Sequence, residues 1–287
     1  MQRTIYVNGE YKPESEALIS VFDRAFLFGD GIYEVSAVIG GRMIDNHLHI
    51  ARLERSLGEL DMPMPLSKDG LVEVQQELIA RNGLDEGVVY LQVSRGSEDR
   101  GFDYSDDLKP SLIGFTQSRK IRDTPSLRDG IRVAVVDDLR WGRRDIKTTM
   151  LLAQVQAKRL AKAAGCAEAW LVQDGTITEG ASSSAFILTR AGCLVTRPNS
   201  HAILPGCTRQ AVLQAARELG LEMEERPFTV DEARTAGEAF LTSASSLVTP
   251  VVEIDGHTIG EGRPGPVTRR IQQIYLELAL PAETSVQ

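Results

Sequence analysis

Thr176–Phe186 is TITEGASSSAF: a short β-prone run, one carboxylate followed at once by glycine, then an alanine and three serines before a second apolar run. Taken alone it is strand, solvated turn and strand, because glycine and small polar residues favour turns over ladder positions. It also sets a lone acid, Glu179, beside hydroxyls and free backbone amides.

On either side the pattern continues. EAWLVQ upstream and SAFILT and CLVT downstream are further strands, followed by a helix over Thr208–Leu219 closed by Gly220. LEMEERPF is a strand, TVDEARTA a short helix, EAFLTS and VVEIDG strands, and Val267–Leu280 a terminal helix. Before the stretch, IRVAVVDDLRW is a strand, and Lys147–Ala164 is expected to be a long helix stopped by Gly165, with Met150, Leu151, Val155 and Leu160 on its apolar side. The first part of the chain opens with a hairpin over RTIYVNGEYK, turned by Asn8-Gly9, and a second over GIYEVSAVIGGRMID, turned at Gly40-Gly41. Asn46 is positioned to cap one helix and Ser67 to open another, and GVVYLQVSRG and PSLIGFTQS are strands. The expected architecture is α+β in two domains: a smaller N-terminal α/β domain over residues 1–118, a polar linker over 119–129, and a larger mixed α/β C-terminal domain over 130–287 that carries Lys147.

A chain of 287 residues, 42% apolar and 25% charged, has enough material for two cores. Its net charge of -8 argues against nucleic acid or an anionic membrane as partner. No run of eighteen apolar residues and no signal-like N-terminus occurs, so a cytoplasmic protein is expected. Three scattered cysteines, 166, 193 and 207, have neither disulfide nor zinc spacing. Of four histidines only His47 and His49 lie close, and on a helix they point apart, so no metal site is expected.

Seven lysines stand against twenty-five arginines, and six of the seven fall in loops or on exposed helical faces. Lys147, in RWGRRDIKTTMLLAQ, stands where a charged loop meets an apolar run. On spacing alone it is a snorkelling first-turn lysine; the chemical alternative is an amine whose desolvation lowers its pKa, as imine chemistry requires. ILPGCTRQAVLQAA puts Gly206, Cys207 and Thr208 at a helix start, where free amides favour an anion, an ordinary cap by Thr208 being the equal alternative. LTSASSLVTP offers a second small-residue turn at Ser243, Ala244, Ser245 and Ser246, and Arg52 a positive charge. A ligand with a phosphate, an aldehyde within reach of a lysine and a basic nitrogen answered by Glu179 has the three handles of pyridoxal phosphate.

With these residues in view, the chain resembles the fold-type IV pyridoxal-phosphate enzymes through DRAFLFGDGIYE, HIARL, RWGRRDIKTTMLLAQ, TEGASSSAF, ILPGCTR and LTSASSLVTPV, in that group's order and over nearly the whole length. Within the group it is most similar to the D-amino-acid transaminase branch, through GIYEVSAV, VSRGSEDRG, LRWGRRDIK and CAEAWL. The resemblance implies Lys147 as Schiff-base lysine and proton carrier and Glu179 on the pyridinium nitrogen. It also implies Arg52, Cys207, Thr208, Ser243 and Ala244 around the phosphate, Leu204 against the ring, Ser183 beside the cofactor, and Tyr33 and Arg100 for the substrate carboxylate. One departure stands out: that branch has a histidine two positions after the arginine, where this chain has Phe102, which donates no hydrogen bond. The implied activity is transfer of an amino group between a D-amino acid such as D-alanine and a 2-keto acid such as 2-oxoglutarate or pyruvate, in a homodimer whose sites borrow residues from the partner. The alternatives are an (R)-amine or branched-chain transaminase, an aminodeoxychorismate lyase-like enzyme, and a non-catalytic small-molecule-binding protein.

Overall fold

The computed structural model describes residues 2–280. The chain forms two compact units, one of residues up to Ile121 together with Ile146–Leu151, the other of Arg122–Asp145 together with the chain from Leu152 onward.

The first unit is built on a six-stranded antiparallel sheet. Its strands are β1 (Thr4–Val7), β2 (Glu10–Pro13), β3 (Gly31–Ile39), β4 (Arg42–Met43), β5 (Glu86–Ser94) and β6 (Ser111–Ser118), in the order β2-β1-β6-β5-β3-β4. The Asn8-Gly9 and Gly40-Gly41 turns form as expected, each with both residues at positive φ, as two-residue hairpins of this hand require. Helices α1 (Arg24–Phe28), α2 (Asn46–Gly58) and α3 (Lys68–Arg81) complete the unit. Leu53 and Leu57 of α2, Leu71 and Leu78 of α3, and Ile32, Leu91 and Val93 of the sheet share one core. Ser67 opens α3 as expected, its side chain accepting from the Gly70 N–H at 3.1 Å. Asn46 does not cap α2. Asp45, in the left-handed region, precedes the helix without a side-chain cap bond, while the Asn46 side chain is spent on Ser36 and Gln75.

In the second unit, nine strands form one mixed sheet: β7 (Ile131–Asp137), β8 (Glu168–Gln173), β9 (Thr176–Gly180), β10 (Ser184–Leu188), β11 (Leu194–Thr196), β12 (Met223–Glu225), β13 (Glu238–Ser243), β14 (Leu247–Ile254) and β15 (His257–Thr258). The order is β12-β11-β10-β13-β14-β7-β8-β9, with β15 beside β14; β7 pairs in parallel with both β8 and β14. Trp170, Ile177, Ile187, Phe228, Leu241 and Val251 fill its core. The helices are α4 (Pro125–Asp129), α5 (Leu152–Ala163), α6 (Cys207–Glu218), α7 (Val230–Arg234) and α8 (Pro266–Ala279). Within the segment expected as a linker, Thr124 caps α4. The capping box of Thr229 and Glu232 starts α7. No side chain caps α8 locally; the Glu238 carboxylate on β13 accepts from the Val267 and Thr268 N–H groups at 3.0 and 2.8 Å.

Two helix expectations are corrected. The run from Lys147 is not helical before Leu152. Ile146 is buried in the first unit's core, the Tyr33 N–H donates to the Lys147 carbonyl at 3.0 Å, and the Thr149 N–H to the Gly31 carbonyl at 2.9 Å. The segment is thereby held along the start of β3, so Lys147 groups with the first unit rather than with residues 130–287. The apolar side expected for the helix is also turned outward: Val155 and Leu160 are 53% and 58% exposed, and Ala157 and Ala161 are buried instead. Alanines let α5 approach Ala134, Ala169 and Leu171 of the sheet closely, which larger side chains would prevent.

Candidate functional site

The first unit holds Lys147, Tyr33, Arg52 and Arg100. Because residues 146–149 run beside β3, Lys147 and Tyr33 meet: Lys147 Nζ sits 4.3 Å from the Tyr33 ring centroid. Tyr33 stacks on Tyr90, with centroids 5.5 Å apart, and Tyr90 on Phe115 at 4.5 Å, so the ring facing the lysine is fixed from behind. Among the described residues, Nζ has no carboxylate partner and no hydrogen bond. An amine facing a π cloud alone keeps its lone pair available when deprotonated and is stabilised when charged.

Arg52 is buried on α2 and grips Glu34 of β3 bidentately along one edge, Nε to Oε1 at 2.7 Å and Nη2 to Oε2 at 2.8 Å. His49, one turn back, adds Nδ1 to Oε2 at 2.7 Å. Burial works to raise the Glu34 pKa, but the charge and hydrogen bonds of Arg52, with those of His49, outweigh it and bring the pKa down from 4.5 to about 2. A depressed acid contributes stability that is complete above its unfolded pKa and is lost as pH falls through the folded value. Unfolding free energy, read from guanidinium melts between pH 5 and pH 2, is therefore expected to fall by about 2–3 kcal/mol through this group. In Glu34→Gln that portion of the slope should vanish, and an unaltered slope would refute the assignment.

Arg100 lies on the segment after β5, its guanidinium 5.4 Å from the Phe28 ring and 5.9 Å from Phe102. The side chain standing in the histidine's place is thus an exposed ring near the arginine rather than a hydrogen-bond donor. A guanidinium near aromatic rings keeps N–H donors that suit a carboxylate.

The second unit holds the other expected residues. Glu179 is the penultimate residue of β9, buried, and both of its hydrogen bonds fall on one oxygen: Arg140 Nη1 donates to Oε1 at 2.6 Å and the Leu204 N–H at 3.0 Å. Oε2 accepts none among the described residues. Arg140 is itself held by Asp138 through Nε and Nη2 at 2.9 and 2.8 Å, and Asp138 also accepts from Thr178 Oγ1 at 2.7 Å. Burial pushes the Glu179 carboxyl up, and Arg140 only partly opposes it. That sign is opposite to Glu34's: the anion is short of positive charge, and one oxygen awaits a donor.

Beyond Glu179 the chain turns tightly, the Gly180 N–H donating to the Ser183 carbonyl at 2.7 Å. A Cβ on Gly180 would stand 2.1 Å from Ser183 Oγ, so any larger residue there would force that serine side chain to move. Glu168 on β8 braces the serines, accepting from Ser182 Oγ at 2.9 Å. Ser184 then opens β10 opposite Thr242 of β13. Gly206 abuts Ser184, and α6 starts here at Cys207 with no side-chain cap. Thr208 lies inside this helix and is not its cap. Next to Thr242, Ser243 and Ala244 enter the turn leading to β14, where the Ser246 N–H donates to Ser243 Oγ at 3.1 Å. An uncapped helix N-terminus, with two small-residue turns beside the same strand ends, is a donor set suited to a phosphate.

Residues 31–254 match the family described as Amino-transferase class IV. The chain belongs to this family. The class IV aminotransferases are pyridoxal-phosphate enzymes. The chain is 37% identical to a D-alanine aminotransferase of Bacillus licheniformis over 98% of each chain. To a D-alanine aminotransferase of Staphylococcus aureus strain MSSA476 it is 36% identical over 94% of this chain and 95% of that one. Among solved structures it superposes on the branched-chain amino acid aminotransferase of Escherichia coli with a TM-score of 0.90 at 26% identity, covering 97% and 95% of the two chains. A hypothetical aminotransferase of Mycobacterium tuberculosis, in its PLP-bound form, gives 0.84 at 25% identity, covering 96% of this chain and 99% of that one.

Each unit of this aminotransferase carries groups suited to a cofactor's handles: in the first, a lysine amine facing a ring; in the second, a buried acid whose Oε2 has no partner among the described residues, and the uncapped start of α6. Reading from sequence missed the supporting layer. Arg140 lies in the motif LRWGRRDIK, but nothing local says which of its three arginines and one aspartate turns inward. Glu34, likewise inside GIYEV, is distinguished only by a strand register that points it at Arg52.

Proposed function

We propose that this aminotransferase moves an amino group between a D-amino acid, such as D-alanine, and a 2-keto acid such as 2-oxoglutarate or pyruvate. The observation carrying this reading is Arg100, an exposed guanidinium near the Phe28 and Phe102 rings, in a chain whose relatives at 36–37% identity are D-alanine aminotransferases. Bound pyridoxal phosphate supplies the electron sink that makes the amino acid's Cα–H acidic. Lys147 Nζ takes up that proton and delivers one to Cα when a keto acid is converted in the return half-reaction. The face of Tyr33 steadies the amine while it is charged. Glu179 keeps a negative charge for the ring nitrogen, with Arg140 and the Leu204 amide fixing its orientation. Cys207, Thr208, Ser243 and Ala244 offer the phosphate chiefly backbone donors, and Arg52, aligned by Glu34, its countercharge. Ser183 closes the turn beside the ring, Leu204 packs against it, and Tyr33 and Arg100 receive the substrate carboxylate.

Phe102 favours a second reading, an (R)-amine or branched-chain transaminase, because it removes a donor from the carboxylate site. Adding D-alanine without acceptor to the purified holoenzyme should convert the cofactor's absorption to the pyridoxamine form. Conversion by L-leucine or an (R)-amine, with D-alanine inert, would transfer the proposal to the second reading.

The working form is proposed to be a cytoplasmic homodimer. Supporting this are exposed apolar side chains at Leu18, Val21 and Phe26 and, in the other unit, at Leu152, Val155 and Leu160, together with free cysteines suited to a reducing compartment. Among the described residues no helix is long and apolar enough to cross a membrane. A monomer in sedimentation at working concentration would contradict the dimer.

A further inference from the structure

Arg24, in α1, makes hydrogen bonds from Nε, Nη1 and Nη2, and none of the roles above requires it. Its side chain is 6% exposed. Nε donates to Asp30 Oδ2 at 2.9 Å. Nη1 donates to the Gly101 carbonyl at 2.9 Å and, more weakly, to the Asp103 carbonyl and Glu98 Oε1, both at 3.4 Å. Nη2 donates to the Phe102 carbonyl at 3.3 Å. The head therefore takes three successive carbonyls, those of the residues directly after Arg100. The Arg24 N–H also holds the beginning of the same segment, at the Gly96 carbonyl, 2.8 Å away.

The rings repeat the pattern. Arg24 lies 4.8 Å from the Phe28 centroid and 5.1 Å from that of Tyr104, and Arg100 lies 5.4 Å from the same Phe28 ring. Asp30 is shared with Arg95, whose Nε also donates to Oδ2 at 2.9 Å and whose guanidinium covers Tyr104 at 4.0 Å. Glu98 closes the loop on itself, accepting from the Ser105 N–H at 3.2 Å and Oγ at 2.9 Å. A segment without helix or strand of its own is thus shaped by donors from α1.

We infer that Arg24 is the positioning residue of the carboxylate-recognition loop: by gathering the carbonyls of residues 101–103 it fixes where Arg100 presents its edge. The inference rests on the proposed role of Arg100 in binding the substrate carboxylate. A lysine at residue 24 keeps the charge but, as a point donor, does not span a row of carbonyls. Charge alone is therefore insufficient, and the conservative variant should not rescue.

The test is steady-state kinetics of holoenzyme with D-alanine for Arg24→Lys, Arg24→Gln, Arg100→Ala and the Arg24→Gln/Arg100→Ala double variant, alongside hydrogen exchange of residues 97–105. Arg24→Lys and Arg24→Gln are each expected to raise KM by about tenfold or more, with kcat within about threefold, because lost orientation weakens recognition of substrate and transition state alike. Exchange should quicken in 97–105 and stay as in the parent in α2 and α3. The double variant should be no worse than Arg100→Ala alone, since both changes remove one interaction. If Arg100→Ala leaves KM unchanged, the Arg100 reading falls and this inference with it. If Arg100→Ala raises KM and neither Arg24 variant does, or if the two effects multiply, this inference alone is overturned. Should the Arg24 variants not fold, Glu98→Ala, which loosens the loop from its partly exposed side, is expected to raise KM about threefold at constant kcat; an unchanged KM would then overturn it.

Discussion

Lys147→Ala is expected to lose transamination by at least about 10⁴-fold in kcat, the upper range of what a positioned proton carrier contributes, while still binding pyridoxal phosphate. The expectation follows from the lysine's surroundings. Its Nζ is near the Tyr33 ring at 4.3 Å and, among the described residues, has no carboxylate to neutralise. Removing it strands no buried anion, so the fold should survive, and the loss will read as chemistry rather than unfolding. Phosphate and ring-nitrogen contacts are assigned to other residues, so cofactor should remain bound without its covalent attachment. A small primary amine added to the variant should restore part of the rate. A variant retaining a tenth of parental turnover would rule out Lys147 as the proton carrier.

For Glu179→Gln, kcat is expected to fall by about 10²–10³-fold, the scale of one electrostatic contact removed from a preorganised site. Thermal stability should barely change. Burial already pushes the Glu179 carboxyl up, so the protein gains nothing from that charge on folding, and a neutral amide of the same shape relieves the penalty. Arg140, left with one carboxylate fewer, keeps its two-pronged hold on Asp138. An active variant with a lowered melting temperature would assign Glu179 to structure. The opposite pattern, lost activity in a stable protein, assigns it to the ring nitrogen. Activity and cofactor absorption measured on the same preparation separate the two.

Much of the candidate site lies open in the sequence because its parts are turns and helix starts, which short-range chemistry specifies. Glycine at 180 and 206, the serines at 182–184 and the small residues at 243–246 announce close backbone approach whatever the fold around them. The layer behind them was not legible. Arg140, Asp138, Glu34, His49 and Glu168 look like any other charged or titratable residues of a chain whose charged fraction is 25%. Each is selected by its partners in the folded chain, and the local sequence does not say which partners those are.

Near neighbours in the chain suffice for the two hairpin turns at Asn8-Gly9 and Gly40-Gly41, the Ser67 start of α3 and the ordered motifs that mark a class IV aminotransferase. Each is settled by the φ preference, capping oxygen or side-chain chemistry of residues a few positions apart. Long-range packing, by contrast, put Lys147 in a turn beside β3 and not in a helix, because Ile146 is drawn into the first unit's core and the backbone of 147–149 bonds to β3, interactions that helix propensity over five residues does not offset. It likewise capped α8 from β13 through Glu238, turned Ala157 and Ala161 rather than Val155 and Leu160 to the sheet, and brought Arg24 to the loop of Arg100. In all four cases the deciding partner is distant in sequence, and its contribution arises only once folding has brought the two together.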